Sequence, residues 1–268
     1  MITTDSHIHT EFSSDSQEKM ERMVCRGIEL GLDNMIFTDH MDIDFPPKYE
    51  YDFLFDVSKQ QAEIESLQKK YHEKITLLKG IELGLQVHLQ SKINTLLKNN
   101  FFDYVIGSIH IVDMMDPYCH EYWETFSSEE KGILKYFETG LSCLEKINTF
   151  DSFGHLDYVI RYAPAGASNY SYKKYAEIID AILRKLVSSG KALEVNTSGF
   201  RKNGFANPHI DVVKRFIELG GEMITIGSDA HEADYLAADF DRICAELKKA
   251  GLRYYTVFCN RKPVMKPL

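Results

Sequence analysis

Residues 1–12 read MITTDSHIHTEF, and the fold turns on whether Asp5, His7 and His9 are neighbours on a strand. Successive strand side chains point to opposite faces, so these three would share one face and Ile8 would take the other. Two adjacent neutral imidazoles are a ready pair of metal ligands. Taken alone, H-x-H fits a polar face on an edge strand equally well, so the rest of the chain must decide.

Working outward, similar segments recur. TTDSHIHT (3–10), NMIFTDH (34–40), ITLLKGIEL (75–83), YVIGSIHIV (104–112), SFGHLDYVI (152–160), ALEVNTSG (192–199) and MITIGSDAH (223–231) read as strands, and LRYYTVFCN (252–260) as a final one. Helical periodicity fills most gaps. KMERMVCRGIELG (19–31) sets Met23, Ile28 and Leu30 among charges and stops at Gly31. Residues 57–71 and 87–99 follow the same pattern. Ser127 and Glu130 fit a capping box ahead of residues 130–147. Residues 172–190 and 208–221 follow, the latter with Asn207 as N-cap and Pro208 in its first turn, and 239–251 is the last helix. Strand–helix alternation implies parallel strands with crossover helices. Seven or eight such units predict an irregular barrel related to the TIM barrel, with a doubly wound open sheet as the alternative. No linker, low-complexity stretch or repeat divides residues 1–268, which predicts one domain. Two long aromatic loops, 45–56 and 114–130, the second carrying Trp123, are expected to wall a substrate pocket.

Composition narrows the function. The 268 residues are 44% hydrophobic, ample for a sizeable core. A formal net charge of −9 without a basic block disfavours non-specific nucleic-acid binding. Five scattered cysteines, never in C-x-x-C, read as reduced thiols of a cytoplasmic protein. No signal peptide is expected from the opening residues, and no apolar run reaches the length of a membrane span.

The decisive feature is positional. Apolar residues fill the first part of each strand, and a potential metal ligand comes near its C-terminal end: His7 and His9, Asp39 and His40, Glu82, His110, His155, then Asp229 and His231. In a parallel barrel that rim is where active sites form. Six of the ten histidines fall there, whereas His72, His88 and His209 read as structural or solvated and His120 sits in the aromatic loop. Imidazole with carboxylate suits Zn, Fe or Mn, and the absence of cysteine ligands argues against a structural zinc site. Six histidines with Asp15, Glu82 and Asp229 exceed one ion's needs and could serve three if Glu82 bridges two. Three divalent ions bring +6 and the three carboxylates −3. The resulting +3 would attract a phosphate dianion despite the negative exterior, which salt screens beyond about 8–10 Å.

H-x-H at 7–9, S-S-D at 13–15, T-D-H at 38–40, G-I-E at 80–82, S-I-H at 108–110, G-H-L-D at 154–157 and S-D-A-H at 228–231 together resemble the polymerase-and-histidinol-phosphatase (PHP) superfamily. The resemblance is ordered and runs from residue 7 to residue 231. It implies a distorted seven-stranded (β/α) barrel with a trinuclear metal site. His7, His9, Glu82 and Asp229 would hold the first ion, Glu82, His110 and His155 the second, and Asp15, His40 and His231 the third. GHLDYVIRY (154–162) and NTSGFRKN (196–203) are similar to the barrel-type histidinol-phosphate phosphatases of histidine biosynthesis, which makes Arg161 and Arg201 the expected phosphate contacts. The implied reaction converts L-histidinol phosphate, a small phosphomonoester, to L-histidinol and phosphate by attack of a metal-bound hydroxide. Asp229, His231 or a bound water could serve the leaving alkoxide. D-x-D-x-T, C-x5-R and P-loop motifs are absent, so no phosphoenzyme is expected. Three rivals stand beside this reading. They are a phosphatase of the same superfamily acting on nucleotides or sugar phosphates, an amidohydrolase-type hydrolase, and a non-catalytic interaction domain. Asp42 and Asp44 could meet the substrate's ammonium or lie in a solvated loop.

Overall fold

Short runs such as YVIGS and ITIG are rich in β-branched and apolar residues and end before a polar cluster, the pattern of strands buried on both faces. A computed structural model describes residues 1–268 and bears this out. Strands β1 (Thr4–Ile8), β2 (Asn34–Phe37), β4 (Thr76–Gly84), β5 (Tyr104–Ser108), β6 (Ser152–Phe153), β7 (Ala192–Asn196) and β8 (Ile224–Gly227) pair in parallel in that order, and the two-residue β3 (His40–Met41) joins β4 beyond the end of β2. The sheet closes where Ile8 bridges Ala230, with His9 N donating to Ala230 O and Asp229 N to His7 O, both at 2.9 Å. The result is the expected distorted (β/α)7 barrel.

Nine helices surround it: α1 (Met20–Glu29), α2 (Val57–Tyr71), α3 (Gln90–Asn99), α4 (His120–Glu124), α5 (Glu129–Lys146), α6 (Ala176–Ser188), α7 (Gly199–Asn203), α8 (Ile210–Glu218) and α9 (Phe240–Lys249). Each long helix turns an apolar stripe inward. In α1 the stripe is Met20, Met23, Val24 and Gly27, spaced i, i+3, i+4, i+7, with half-buried Ile28 packed at its edge, whereas Leu30 is exposed. None of the helices is long and apolar enough to cross a membrane. The barrel interior holds a hydroxyl chain, with Tyr104 Oη donating to Thr225 Oγ1 at 3.0 Å and Ser152 Oγ 2.8 Å from the same atom. An antiparallel hairpin, β9 (Tyr254–Cys259) and β10 (Lys262–Pro267), caps the N-terminal end of the barrel. Phe258 stacks on Tyr104 at 5.4 Å, Thr3 N donates to Tyr255 Oη, and Arg261 Nε donates to Asp151 Oδ2.

Several local expectations are corrected. The strand expected over 152–160 stops at Phe153, because the chain turns at once to present His155 and continues as a 3-10 turn over Tyr158–Tyr162. Helix α5 starts after Ser128, not Ser127, and Glu130 pairs with Lys174 Nζ at 2.9 Å instead of closing a capping box. Asn207 does not cap α8. Its amide donates to Asp157 and its Oδ1 accepts from Arg161, so His209 Nδ1 takes the cap by accepting from Asp211 N at 3.2 Å. The span expected as one helix over 172–190 opens as a 3-10 turn before α6. The partner strand of the final hairpin, β10, carries two prolines and few apolar residues, which hides it from a periodicity reading.

Ile226 is fully buried in β8 and Val264 is 46% exposed in β10. Ile226→Ala is expected to cost about 2–5 kcal/mol, read as a lower urea midpoint at unchanged slope. Val264→Ala is expected to stay within about 0.5 kcal/mol. Equal losses at the two sites would contradict the placement of the core.

Candidate metal centre

The strand ends bring every expected ligand to one place. At its middle is Glu82, fully buried on β4. Its Oε2 lies 3.2 Å from His7 Nε2, 3.5 Å from His9 Nε2 and 2.9 Å from His40 Nδ1. Its Oε1 lies 2.9 Å from His155 Nε2 and 3.3 Å from His110 Nε2, and accepts from Ser108 Oγ at 2.6 Å. Asp229 Oδ1 sits 3.2 Å from His9 Nε2 and 3.6 Å from His7 Nε2. Asp15 Oδ2 is 3.2 Å from His231 Nε2 and 3.6 Å from His40 Nε2. Four sets of three donors lie within 4.8 Å of one another: His7–His9–Glu82, Glu82–His110–His155, His9–His40–His231 and His40–Asp42–His110. The four other histidines stay outside, with His120 exposed and paired with Glu124.

The local sequence explains how these side chains are aimed. Asp229 has φ of +53°, a left-handed position that Asp tolerates better than most residues. Hydrogen bonds hold the turn, from Ser228 N to Asp5 Oδ1 at 2.9 Å and from Asp229 N to His7 O. Four imidazoles have Nδ1 occupied on the side away from the cluster. His7 faces Glu194 Oε1 at 2.5 Å, His9 faces Ser13 Oγ at 3.0 Å, His110 faces Asp42 Oδ1 at 2.8 Å and His231 faces the Asp229 carbonyl at 3.2 Å. Ser13 passes its own proton to Asp39 Oδ1 at 3.0 Å. In each ring that leaves Nε2 for the centre.

Three further residues therefore belong to the site that the sequence reading left out or placed differently. Asp42 is buried against His110 and is not solvated, whereas Asp44 is an exposed partner of Lys92 and His88. Asp39 is a supporting acceptor for Thr10, Ser13 and Gln60, placed behind His9 through Ser13 and outside the donor sets. Glu194 is the third, and its sequence signal is a lone acid amid the apolar run ALEVN of a strand buried throughout.

The donor set fits divalent cations. Glu82 Oε2 and His40 Nδ1 are fully buried and 2.9 Å apart, yet neither has a hydrogen bond of acceptable geometry, and His155 Nδ1 is likewise unpaired. Buried polar atoms left in this condition are costly, and a shared cation satisfies lone pairs that converge without a proton between them. In the metal-free chain protons take that role. Burial alone would lower the His7, His40 and His110 pKa values, but neighbouring carboxylates outweigh it, chiefly Glu194 for His7, Glu82 for His40 and Asp42 for His110. All three are raised, His110 to about 10. Against the cost of burial, these imidazoles hold Glu82 well below the usual carboxylate range, and His7, His9 and Arg161 do the same for Asp229. His9 is pushed down by burial and by His231 and His40, and His155 by burial.

Beside the cluster opens a polar cleft of about 490 Å³ lined by Asp15, Arg161, Ser198, Arg201, Asp229, His231 and their neighbours. The Arg161 side chain is 7% exposed and its guanidinium is fixed, with Nε on Asn207 Oδ1 at 3.0 Å, Nη1 on Asp229 Oδ2 at 3.2 Å, and Nη2 on Asn196 Oδ1 at 3.2 Å and Ser198 Oγ at 2.5 Å. Arg201, at the start of the cleft wall in α7, lies over the Tyr235 ring at 4.5 Å and forms no ion pair within the chain. The aromatic loops contribute less than expected to this cleft. Phe53 packs edge-on against His40 at 5.5 Å, but Trp123 is buried, with Nε1 donating to Pro117 O.

A parallel barrel that gathers imidazoles and carboxylates at its C-terminal rim is the architecture of a metal-dependent hydrolase. The chain belongs to the PHP domain family, whose sequence pattern matches residues 5–198. The histidinol-phosphatase of Lactococcus lactis is 34% identical over 264 residues, covering 98% of this chain and 96% of its own length. A Clostridium acetobutylicum protein named "Probable histidinol-phosphatase" is 34% identical over 261 residues, covering 97% and 95%. The crystal structure of the Lactococcus lactis histidinol phosphate phosphatase with zinc, L-histidinol and phosphate matches at a TM-score of 0.90 and 32% identity, covering 98% of each chain.

Because His7, His40 and His110 are raised in the metal-free chain, cations must displace protons there. Zinc loading near pH 7 is expected to release more than one proton per chain and to weaken as pH falls. Titration calorimetry in buffers of different ionisation enthalpy reads this directly. A buffer-independent heat would contradict the assignment.

Proposed function

We propose that this chain hydrolyses L-histidinol phosphate to L-histidinol and phosphate, as a metal-dependent phosphomonoesterase. The observation that carries the reading is a cluster of nine convergent donor side chains that meets, through Asp15, Asp229 and His231, a cleft offering Arg201 without an ion-pair partner in the chain. Relatives matched end to end carry the histidinol-phosphatase name, which supports the choice of substrate. Residues 1–268 act as one phosphoesterase domain, since Asp229 and His231 lie beyond the matched stretch yet meet His7, His9 and Asp15. Its place is the cytoplasm, in keeping with five free cysteines.

His7, His9, Glu82 and Asp229 would hold one divalent ion, Glu82, His110 and His155 a second, and Asp15, His40 and His231 a third. When bound, such ions supply Lewis acidity, lower the pKa of water and neutralise charge on phosphoryl oxygens. The protein's own groups do the rest. Arg201 reaches the phosphate by charge-assisted hydrogen bonds. Arg161, fixed by four acceptors, presents a positive face that needs no reorganisation during the reaction. Asp229 ties the two functions together, with Oδ1 toward His7 and His9 and Oδ2 accepting from Arg161 and Ser198. His231 lines the cleft with Nδ1 on the Asp229 carbonyl, which leaves its Nε2 beside Asp15 for an ion.

Phosphate release after loading with Zn, Mn or Fe tests the reading. L-Histidinol phosphate is expected to be preferred over nucleotide and sugar phosphates by roughly 10²-fold or more in kcat/KM. Equal turnover across the panel would overturn the substrate, and amide hydrolysis without phosphatase activity would overturn the class. Glu82→Ala is expected to abolish turnover. Arg201→Met is expected to lower kcat/KM about 10- to 100-fold, mainly through KM.

A further inference from the structure

We propose that Glu194 is a positioning residue of the metal centre, one carboxylate that fixes ligands of two neighbouring ions at once. The proposal rests on the metal reading of the cluster. Glu194 lies in the middle of β7 with its side chain 1% exposed. A carboxylate there needs partners, and no lysine or arginine provides one. Instead Oε1 faces His7 Nδ1 at 2.5 Å, while Oε2 accepts from the His155 backbone N–H at 2.8 Å and from Asn196 Nδ2 at 3.4 Å.

The two contacts do different things. The first holds a proton on His7 Nδ1 and turns Nε2 toward Glu82 and Asp229, and a carboxylate at this position also makes the opposite nitrogen a better donor. The second pins the backbone just after β6, where the strand breaks off, and so sets how His155 Nε2 meets Glu82 Oε1. His7 and His155, with ring centres 5.8 Å apart, are thereby registered against each other from β7. The neighbouring strand is cut back to allow it. A Cβ on Gly227 would collide with His7 Cβ and come within 3.2 Å of Glu194 Oε1. Glu194 is not itself a ligand, because it sits on the Nδ1 side of His7, away from the cluster, with both oxygens engaged. Asp42 differs, since it meets ligand rings only, His110 Nδ1 at 2.8 Å and His40 Nδ1 at 3.7 Å.

Glu194→Gln keeps the shape and can still accept from His155, but it loses the charge behind His7. Zinc affinity, measured by chelator competition, is expected to fall about 10- to 100-fold. Ions retained per chain after dialysis should fall too, while the melting temperature of the metal-free protein stays near the wild-type value. Unchanged affinity would overturn the proposal, and so would a loss matched by an equally destabilised metal-free fold. Should the variant not fold, the wild-type protein decides. In zinc-loaded, histidine-labelled protein, long-range 1H–15N spectra are expected to place the His7 proton on Nδ1 in a strongly downfield-shifted resonance. A proton on Nε2, or none, would overturn the proposal. If the wild-type chain retains no zinc, the metal reading itself falls, and this assignment with it.

Discussion

The structure depends on a carboxylate that has no reason to be buried except the company it keeps. Glu82 sits in the barrel with ring nitrogens of His7, His9, His40, His110 and His155 all within 3.5 Å. An isolated ionised carboxylate there would be prohibitively costly, and one met by several half-satisfied imidazoles is still incompletely compensated. The same arrangement is well suited to divalent cations, whose charge offsets the carboxylates and whose coordination uses the same inward-facing nitrogens. What is poor design for an empty barrel is good design for a loaded one.

The fold separates these demands along the barrel axis. At the N-terminal end of the strands the β9–β10 hairpin seals the interior with Phe258 on Tyr104, and the hydroxyls of Tyr104, Ser152 and Thr225 satisfy one another. At the C-terminal end the strands stop early, and turns present the chemistry. β6 is only two residues long, β3 breaks away from β2, and Asp229 takes a left-handed backbone. Each irregularity places a ligand: His155, His40 and Asp229. The departures from an ideal barrel are therefore concentrated where ligands are needed, while apolar packing and the helices carry the stability.

Much of this was legible in the sequence because the ligands recur at equivalent points of similar units. H-x-H on one strand, G-I-E on another and S-D-A-H on a third carry weight together that none carries alone. The barrel and eight of the nine donors follow from that repetition, whereas Asp15, in the loop after β1, comes from the family resemblance. The supporting acceptors were less readable. Asp42 lies two residues past a ligand and looks like loop, and only its closeness to His110, 68 positions away, gives it a role. Glu194 is joined to His7 across 187 positions by no local pattern. Arg161 reads as a free phosphate contact in sequence, but three-dimensional packing surrounds it with Asn196, Ser198, Asn207 and Asp229. The caps failed for the same reason: Asn207 was drawn away from α8 by Asp157 and Arg161.

The most direct test is to locate bound ions by anomalous diffraction on either side of the zinc absorption edge, using crystals of zinc-loaded protein. Three peaks are predicted, two of them sharing Glu82, each with nitrogen and oxygen donors at about 2.0–2.2 Å. A single peak that leaves His110 and His155 without an ion, or peaks remote from Glu82, would contradict the account.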